Sequence, residues 1–222
     1  MIFDRLQFIN EEFDATDVTP EQYDHLLADA WRHFGSHFFR YNFGIYEDET
    51  RRVIPLRIRL ADFTMSKSQR RVLRRNAGLE VSIGPANITT EVHELFERHK
   101  RRFKTGIPNT IYDFIARDAE SSPTELLQIT VRDDERLVAI SFFDLAERSV
   151  SAIYGCFDPE ETSRSLGIFT MLKVMEYAGD LDFDLYYHGY AYEGSSFYDY
   201  KKRFSAIEAF DWNGNWLPLK YE

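Results

Sequence analysis

The sequence predicts a mixed α+β fold in which a mostly antiparallel sheet is flanked by helices. Three observations carry that expectation. Between residues 126 and 157 three strand-like segments follow one another across tight turns, as in a meander. Segments with apolar residues at helical spacing lie before and after them. From residue 165 onward the pattern alternates helix, strand, helix, strand. No internal repeat or low-complexity linker divides the chain, so it reads as one body with an N-terminal extension.

Thr19-Pro20-Glu21-Gln22 opens the first helix with a capping threonine, proline at the first helical position and glutamine three residues on. Tyr23, Leu26, Leu27, Ala30, Trp31 and Phe34 then share a face, which extends the helix to Phe34. Val53 to Leu60 alternates as a strand, with Leu56, Ile58 and Leu60 on one face and Arg57 and Arg59 on the other. Ser66-Lys67-Ser68-Gln69 is a second capping box, opening a basic helix to about Asn76, and Gly78 ends it. Thr89 or Thr90 caps a helix whose apolar stripe is Val92, Leu95, Phe96, His99 and Phe103. The meander is Leu126–Val131, Leu137–Phe143 and Val150–Phe157, turning at Asp133-Asp134 and Ala146-Glu147-Arg148. A helix over Ser165–Ala178, a strand over Phe183–Tyr190, a helix over Ser195–Phe204 and a strand over Ala206–Phe210 follow. Asn213-Gly214 makes a hairpin turn between Trp212 and Trp216.

The composition is that of a globular chain: 44% hydrophobic and 29% charged over 222 residues. Cys156 is the only cysteine, which excludes an intramolecular disulfide and any cysteine-cluster metal site. His33 and His37 have no third ligand at metal spacing and read as structural or solvated. No apolar run is long enough to span a bilayer, and Met1-Ile2-Phe3-Asp4 lacks a basic-then-apolar leader. The expectation is a cytoplasmic protein with no membrane partner.

The net charge of −10 argues against a polyanionic ligand until its distribution is read. Arg51 to Lys104 holds 14 Lys and Arg against 5 Asp and Glu, a local charge of +9. The remainder carries −19. Local fields recruit ligands, so the basic window is a candidate phosphate surface, although the same composition also serves a solvated face.

Three constellations could carry chemistry. In the basic helix Lys67, Arg70, Arg71, Arg74 and Arg75 fall on one side as a cationic ridge, with Val72 and Leu73 left to anchor it. Guanidinium groups on such a ridge suit phosphodiester oxygens. At the second, Arg164-Ser165-Leu166-Gly167 stands where a strand passes into a helix, so free N–H groups, the arginine and a small residue meet. The spacing Arg-x-x-Gly matches the pyrophosphate loop of acyl-CoA-dependent N-acyltransferases, while a glycine there can equally serve helix–strand packing. The third is Tyr187-His188-Gly189-Tyr190 with Phe197-Tyr198-Asp199-Tyr200-Lys201-Lys202-Arg203-Phe204, which can be core or can stack on and hold an unpaired nucleotide end. There is no nucleophile elbow, Walker loop or dinucleotide fingerprint.

The stretch Phe63-x-x-x-Lys67-Ser68-Gln69-Arg70-Arg71-x-x-Arg74-Arg75-Asn76 resembles the signature of arginyl-tRNA–protein transferases and bacterial leucyl-tRNA–protein transferases. Pro55-Leu56-Arg57, Phe157-Asp158-Pro159 to Gly167, Tyr187-x-Gly189-Tyr190 and Tyr200-Lys201-x-x-Phe204-x-x-x-Glu208 resemble the same family in the same order. The resemblance runs from about Tyr23 to Trp216. It implies a GNAT-like acyltransferase domain over residues 77–222, preceded by an N-terminal extension with the basic helix over 1–76. It implies transfer of leucine or arginine from aminoacyl-tRNA to the α-amine of proteins that begin with Asp or Glu, as in N-degron pathways, with no DNA partner. The alternatives are a catalytically degenerate binder of tRNA or protein N-termini and an acyl-CoA-dependent N-acyltransferase.

Members of the family often carry a cysteine cluster for a metal or iron–sulfur group before the Pro-Leu-Arg strand. Here those positions are Glu47, Thr50 and Val53, so no cofactor is expected beyond the co-substrate aminoacyl-tRNA. Met65, Ala206 and Ala191 also depart from the family pattern. By the resemblance, Arg164, Ser165 and Gly167 meet the 3′-end phosphates and Lys67, Arg70, Arg71, Arg74 and Arg75 the acceptor stem. Lys201 and Tyr187 or Tyr190, beside Gly189, line the acyl site or receive the acidic acceptor side chain, with Tyr190 and Lys201 as candidate catalytic residues. Asp144, at the end of a central strand, is the candidate base, or else merely begins the hairpin turn.

Overall fold

The computed structural model describes residues 7–104, 106–117 and 121–219. The N-terminal residues Met1 to Asp4, read above for a leader, lie outside the described residues. The described chain has the expected α+β architecture. A small antiparallel sheet comes first, formed by β1 (Asn10–Asp14), β2 (Arg32–Phe34) and β3 (His37–Tyr41) in the order β1-β3-β2, with α1 (Pro20–Ala28) between its first two strands. β4 (Phe43–Tyr46) and β5 (Glu49–Arg59) form a hairpin. Then come α2 (Lys67–Arg75), β6 (Glu80–Pro85) and α3 (Thr90–Lys100), followed by the meander β7 (Glu125–Asp133), β8 (Arg136–Leu145) and β9 (Ser149–Phe157). α4 (Leu166–Asp180), β10 (Leu185–Tyr192), a 3-10 segment over Phe197–Arg203, β11 (Ile207–Phe210) and β12 (Trp216–Pro218) complete the chain.

The large sheet runs β12-β11-β5-β10-β9-β8-β7-β6, with β4 added to β5. Since β5 lies between β10 and β11, the expected boundary at residue 76 is not a break in the sheet. All its pairings are antiparallel except β9 with β10, which the α4 crossover makes parallel. The helices α4 and α3 supply two separate cores. Leu172, Met175 and Ala178 of α4 pack with Ile129, Phe143 and Tyr186. Val92, Leu95 and Phe96 of α3 pack with Ile140, Phe142 and Cys156.

Both capping boxes form as the sequence predicts: Thr19 and Ser66 accept from the Gln22 and Gln69 N–H groups, and each glutamine accepts from its cap. Three element expectations are corrected. The first helix stops at Ala28 rather than Phe34, because Ala30 takes a left-handed φ of 65° and Arg32–Phe34 then pairs with β3. Trp31 still packs against the Tyr23 and Leu27 core, so its helical spacing was coincidental with burial. The segment before Phe204 is 3-10 rather than α-helical, and β6, like the N-terminal sheet, was not foreseen. None of the helices among the described residues is long and apolar enough to cross a membrane.

Candidate active site

The parallel pairing of β9 with β10 lasts for three residue pairs, Ser149 to Ser151 against Leu185 to Tyr187. Beyond them the strands part. β9 stays with β8 as far as Phe157, while β10 follows β5 to Tyr192 through a bulge between Tyr187 and Gly189. The gap between them is a cleft with a cavity of about 290 Å³. Gly167, Thr170 and Met171 of α4 close one side, Phe34, Phe39 and Tyr41 of the N-terminal sheet another, and Tyr198, Tyr200 and Lys201 a third.

Lys201 reaches this cleft because residue 189 is glycine. Gly189 has φ +96°, and a Cβ there would stand 3.0 Å from Lys201 Nζ. The ammonium donates to the Tyr190 carbonyl at 3.2 Å, and His188 Nε2 donates to the Lys201 carbonyl at 3.1 Å. Burial, reinforced by the nearby charge of Arg32, pulls the Lys201 amine down to about 7. Burial likewise pushes His188 down to about 3, so it is neutral and a fixed donor. Cys156, in the cleft wall, is pushed up to about 12 by burial and is no nucleophile.

Arg32 is the residue that motif reading did not single out. It is 7% exposed and lines the cleft. Its Nη1 donates to Ser151 Oγ at 2.7 Å and to the Tyr187 carbonyl at 3.4 Å, and its Nη2 to the Ala152 carbonyl. Every one of these acceptors is neutral, and no carboxylate among the described residues pairs with it. A buried guanidinium left in that state favours an anionic ligand.

Asp144, the candidate base, is not among the residues that line the cleft. It is fully buried, and its Oδ2 accepts from His33 Nε2 at 2.8 Å and from the Tyr23 hydroxyl at 3.2 Å. His33 is completed by the Gly35 carbonyl, 2.8 Å from Nδ1. This knot joins α1 and β2 to β8, and so seats Arg32, the residue before His33. Tyr190 has a similar duty: its ring lines the cleft, but its hydroxyl donates to the Ala30 carbonyl at 2.6 Å. Tyr187 faces away from the cleft. It sits against Trp216 and its hydroxyl accepts from Arg57 at 3.2 Å.

The α2 ridge is exposed along Lys67, Arg70, Arg71, Arg74 and Arg75, with Val72 and Leu73 packed inward as expected. Arg75 donates to the Ser163 carbonyl and Asn76 to the Arg164 carbonyl, so the ridge is tied to the start of α4. Arg164 itself is paired with Asp133 at 3.0 Å and Glu161 at 3.0 Å, which neutralises it as a free phosphate ligand. Ser165 is exposed, takes a left-handed φ of 55° and makes no side-chain cap, leaving the first N–H groups of α4 open. A Cβ at Gly167 would stand 3.2 Å from the Phe157 ring, so the glycine serves close packing as well as lining the cleft.

A sheet that parts over a crossover helix, with backbone left unpaired in the gap, defines a GNAT-like acyltransferase fold. Solved structures share it at low identity: L-PGS of Bacillus licheniformis has a TM-score of 0.53 at 10% identity over 72% of this chain and 60% of that one. FemX has a TM-score of 0.50 at 9% identity over 85% of this chain and 65% of that one. The particular family is narrower. The model of the arginine-tRNA-protein transferase C terminus matches residues 91–211, and that of the N terminus matches residues 4–71. The chain belongs to the arginine-tRNA-protein transferase family. Aspartate/glutamate leucyltransferases are among its relatives. That of Acinetobacter baylyi is 34% identical over 173 residues, covering 76% of this chain and 63% of its own length. That of Gluconacetobacter diazotrophicus is 35% identical, covering 75% and 65%. That of Marinobacter nauticus is 31% identical, covering 91% and 84%. The matched region thus spans less than two thirds of the first two relatives.

The donor set at the family's cysteine positions does not fit an iron–sulfur cluster. Glu47 and Thr50 flank the β4–β5 turn, Val53 is buried and apolar, and Cys156 lies in β9. Among the described residues no group of three or more His, Cys, Asp or Glu side chains could hold a metal ion.

The knot makes a structural prediction. Asp144→Asn keeps the side-chain shape but removes the carboxylate facing His33, and is expected to cost about 1–3 kcal/mol in urea unfolding. In combination with Tyr23→Phe the loss is expected to be less than additive, since both remove the same contact. Unchanged stability in the single Asn variant would dissolve the knot.

Proposed function

We propose that the protein transfers leucine from aminoacyl-tRNA to the α-amine of proteins that begin with Asp or Glu. The observation that carries this reading is the pair of basic side chains in one apolar cleft: Arg32, a cation buried without a carboxylate partner, and Lys201, whose amine burial pulls down to about 7. An acidic side chain of the acceptor would meet Arg32, and the acceptor amine would lie toward Lys201. The names of the relatives, aspartate/glutamate leucyltransferases, state leucyl transfer and aspartate or glutamate for those proteins, which supports the reading.

The choice of leucine over arginine as the donor residue follows from the lining. The described residues around the cleft include aromatic rings, Ile153, Met171 and Val174 but no Asp or Glu. A leucyl side chain is accommodated there, whereas an arginyl guanidinium would meet the Arg32 charge and no counter-charge.

The ester is already activated, so the cleft has to align the reactants and move one proton. The acceptor nitrogen attacks the ester carbonyl, the carbonyl carbon–oxygen bond to the ribose breaks, and an amide forms. Neutral Lys201 accepts the proton released by the amine and returns it to the departing ribose oxygen. Backbone N–H groups of β9 beyond Ser151, which β10 leaves unpaired, are available to the developing oxyanion. The α2 ridge and the open start of α4, tied together through Arg75 and Asn76, would receive the stem and the 3′-end phosphates. The reaction as proposed uses no resident metal or cofactor.

Two measurements test the assignment. Arg32→Gln is expected to lower kcat/KM for an Asp- or Glu-initiated peptide roughly 10- to 150-fold. It should leave the low rate on an Ala-initiated peptide nearly unchanged, and an equal loss on both would remove Arg32 from acceptor recognition. The pH profile tests Lys201. Its neutral form is the proton acceptor, so kcat should rise with pH through about 7. In Lys201→Arg only the rise of the acceptor amine itself, near roughly 8, should remain. A profile that is flat or falling across that window in the unsubstituted protein would contradict the role.

A further inference from the structure

At the mouth of the cleft an arginine lies between two phenylalanine rings that the proposed reaction does not use. Arg102, just past the end of α3, stands 4.4 Å over the Phe157 ring and 5.8 Å from that of Phe197. No carboxylate among the described residues pairs with it; both of the side-chain contacts it makes there are aromatic. Phe197 is 57% exposed, although Phe is costly to leave in water. It is nevertheless held in place: its N–H donates to the Tyr46 hydroxyl at 2.9 Å, and its ring meets Tyr198 and Tyr200 edge-on. His99 pins the other wall, with Nδ1 within 2.9 Å of the Phe157 carbonyl.

The position of this group matters as much as its chemistry. Phe157, Tyr198 and Tyr200 all line the cleft, so the rings continue its wall outward. Phe157 also touches Gly167, whose Cβ would come within 3.2 Å of the ring. The aromatic group therefore abuts the start of α4, where free backbone N–H groups suit a phosphate. A planar cation beside an open aromatic face, one ring's width from a phosphate site, is what an unpaired nucleobase stacks against.

We propose that Arg102 and Phe197 form a stacking clamp for the terminal unpaired nucleobase of the donor RNA. This rests on the reading of an RNA-borne donor given above. The clamp would hold the base outside the cleft and direct the attached ester inward, past Tyr200, toward Lys201. It recognises the flat face of the base rather than its edge, since both of its parts are π surfaces.

The test uses the full chain and a hairpin RNA with an acceptor-like stem, whose single-stranded 3′ tail ends in 2-aminopurine. Binding is measured by anisotropy of a label on the stem, and stacking by the 2-aminopurine emission. The unsubstituted protein should quench the emission. Phe197→Ala should abolish the quench and weaken binding roughly 5- to 150-fold, the range for one stacked base. Phe197→Trp should keep both. Removing the terminal nucleotide from the RNA should weaken binding to the unsubstituted protein and leave the Ala variant little changed. Tight RNA binding with bright emission, or equal affinities for both variants, would overturn the clamp while leaving the RNA-borne donor standing. No RNA binding at low salt would overturn the clamp and that reading together. Phe197 is exposed, so its loss is not expected to unfold the chain.

Discussion

The structure turns on the point where β9 and β10 stop pairing. Three parallel residue pairs hold the sheet together at Ser149–Ser151, and beyond them the two strands are committed to different neighbours. The bulge at His188 and the left-handed Gly189 carry β10 away, and the same two residues let Lys201 in. Opening the sheet thus creates the cavity, frees β9 backbone groups and admits the Lys201 amine, which burial pulls down to about 7. A continuous sheet would have removed all three.

An open sheet edge in a protein core needs a cover, and the N-terminal elements supply it. Three of their fastenings lie around the turn that leads to Arg32. Asp144 of β8 binds Tyr23 and His33, the Tyr190 hydroxyl binds the Ala30 carbonyl, and the Trp216 indole donates to the Ala28 carbonyl at 2.8 Å. Two of these partners, Ala28 and Ala30, lie in the turn that ends α1 and lead directly to Arg32. The cover therefore delivers a charge to the cleft as well as closing it. Residues from both family-model regions thus meet in one cleft, Arg32 from the N-terminal match and Lys201 from the C-terminal one.

What could be read from the sequence was what is local. The capping boxes at Thr19 and Ser66, the meander, and the exposed face of α2 depend on residues within a few positions of each other and stand as expected, the first meander turn falling one residue on, at Asp134-Glu135. Gly189 and Lys201 were legible as part of a motif, although not the reason they belong together. What was missed depends on distant pairing. Asp144 looked like a base until its Oδ2 was seen bound by His33, 111 residues away, and Tyr23, 121 away. Arg164 looked like a phosphate ligand until Asp133 was seen across the sheet end. Arg32 carried no signal, because Trp31 and Phe34 fit a helical stripe that the left-handed Ala30 interrupts.

The reading of the cleft as a site where an RNA-borne leucine meets an acidic N-terminus stands or falls on the product. The direct measurement is to incubate the protein with leucyl-tRNA or arginyl-tRNA and peptides beginning with Asp, Glu or Ala, and to weigh the peptides. A gain of one leucine residue on the Asp and Glu peptides alone is the expected result. Transfer of arginine, an equal gain on the Ala peptide, or no gain on any peptide would contradict it.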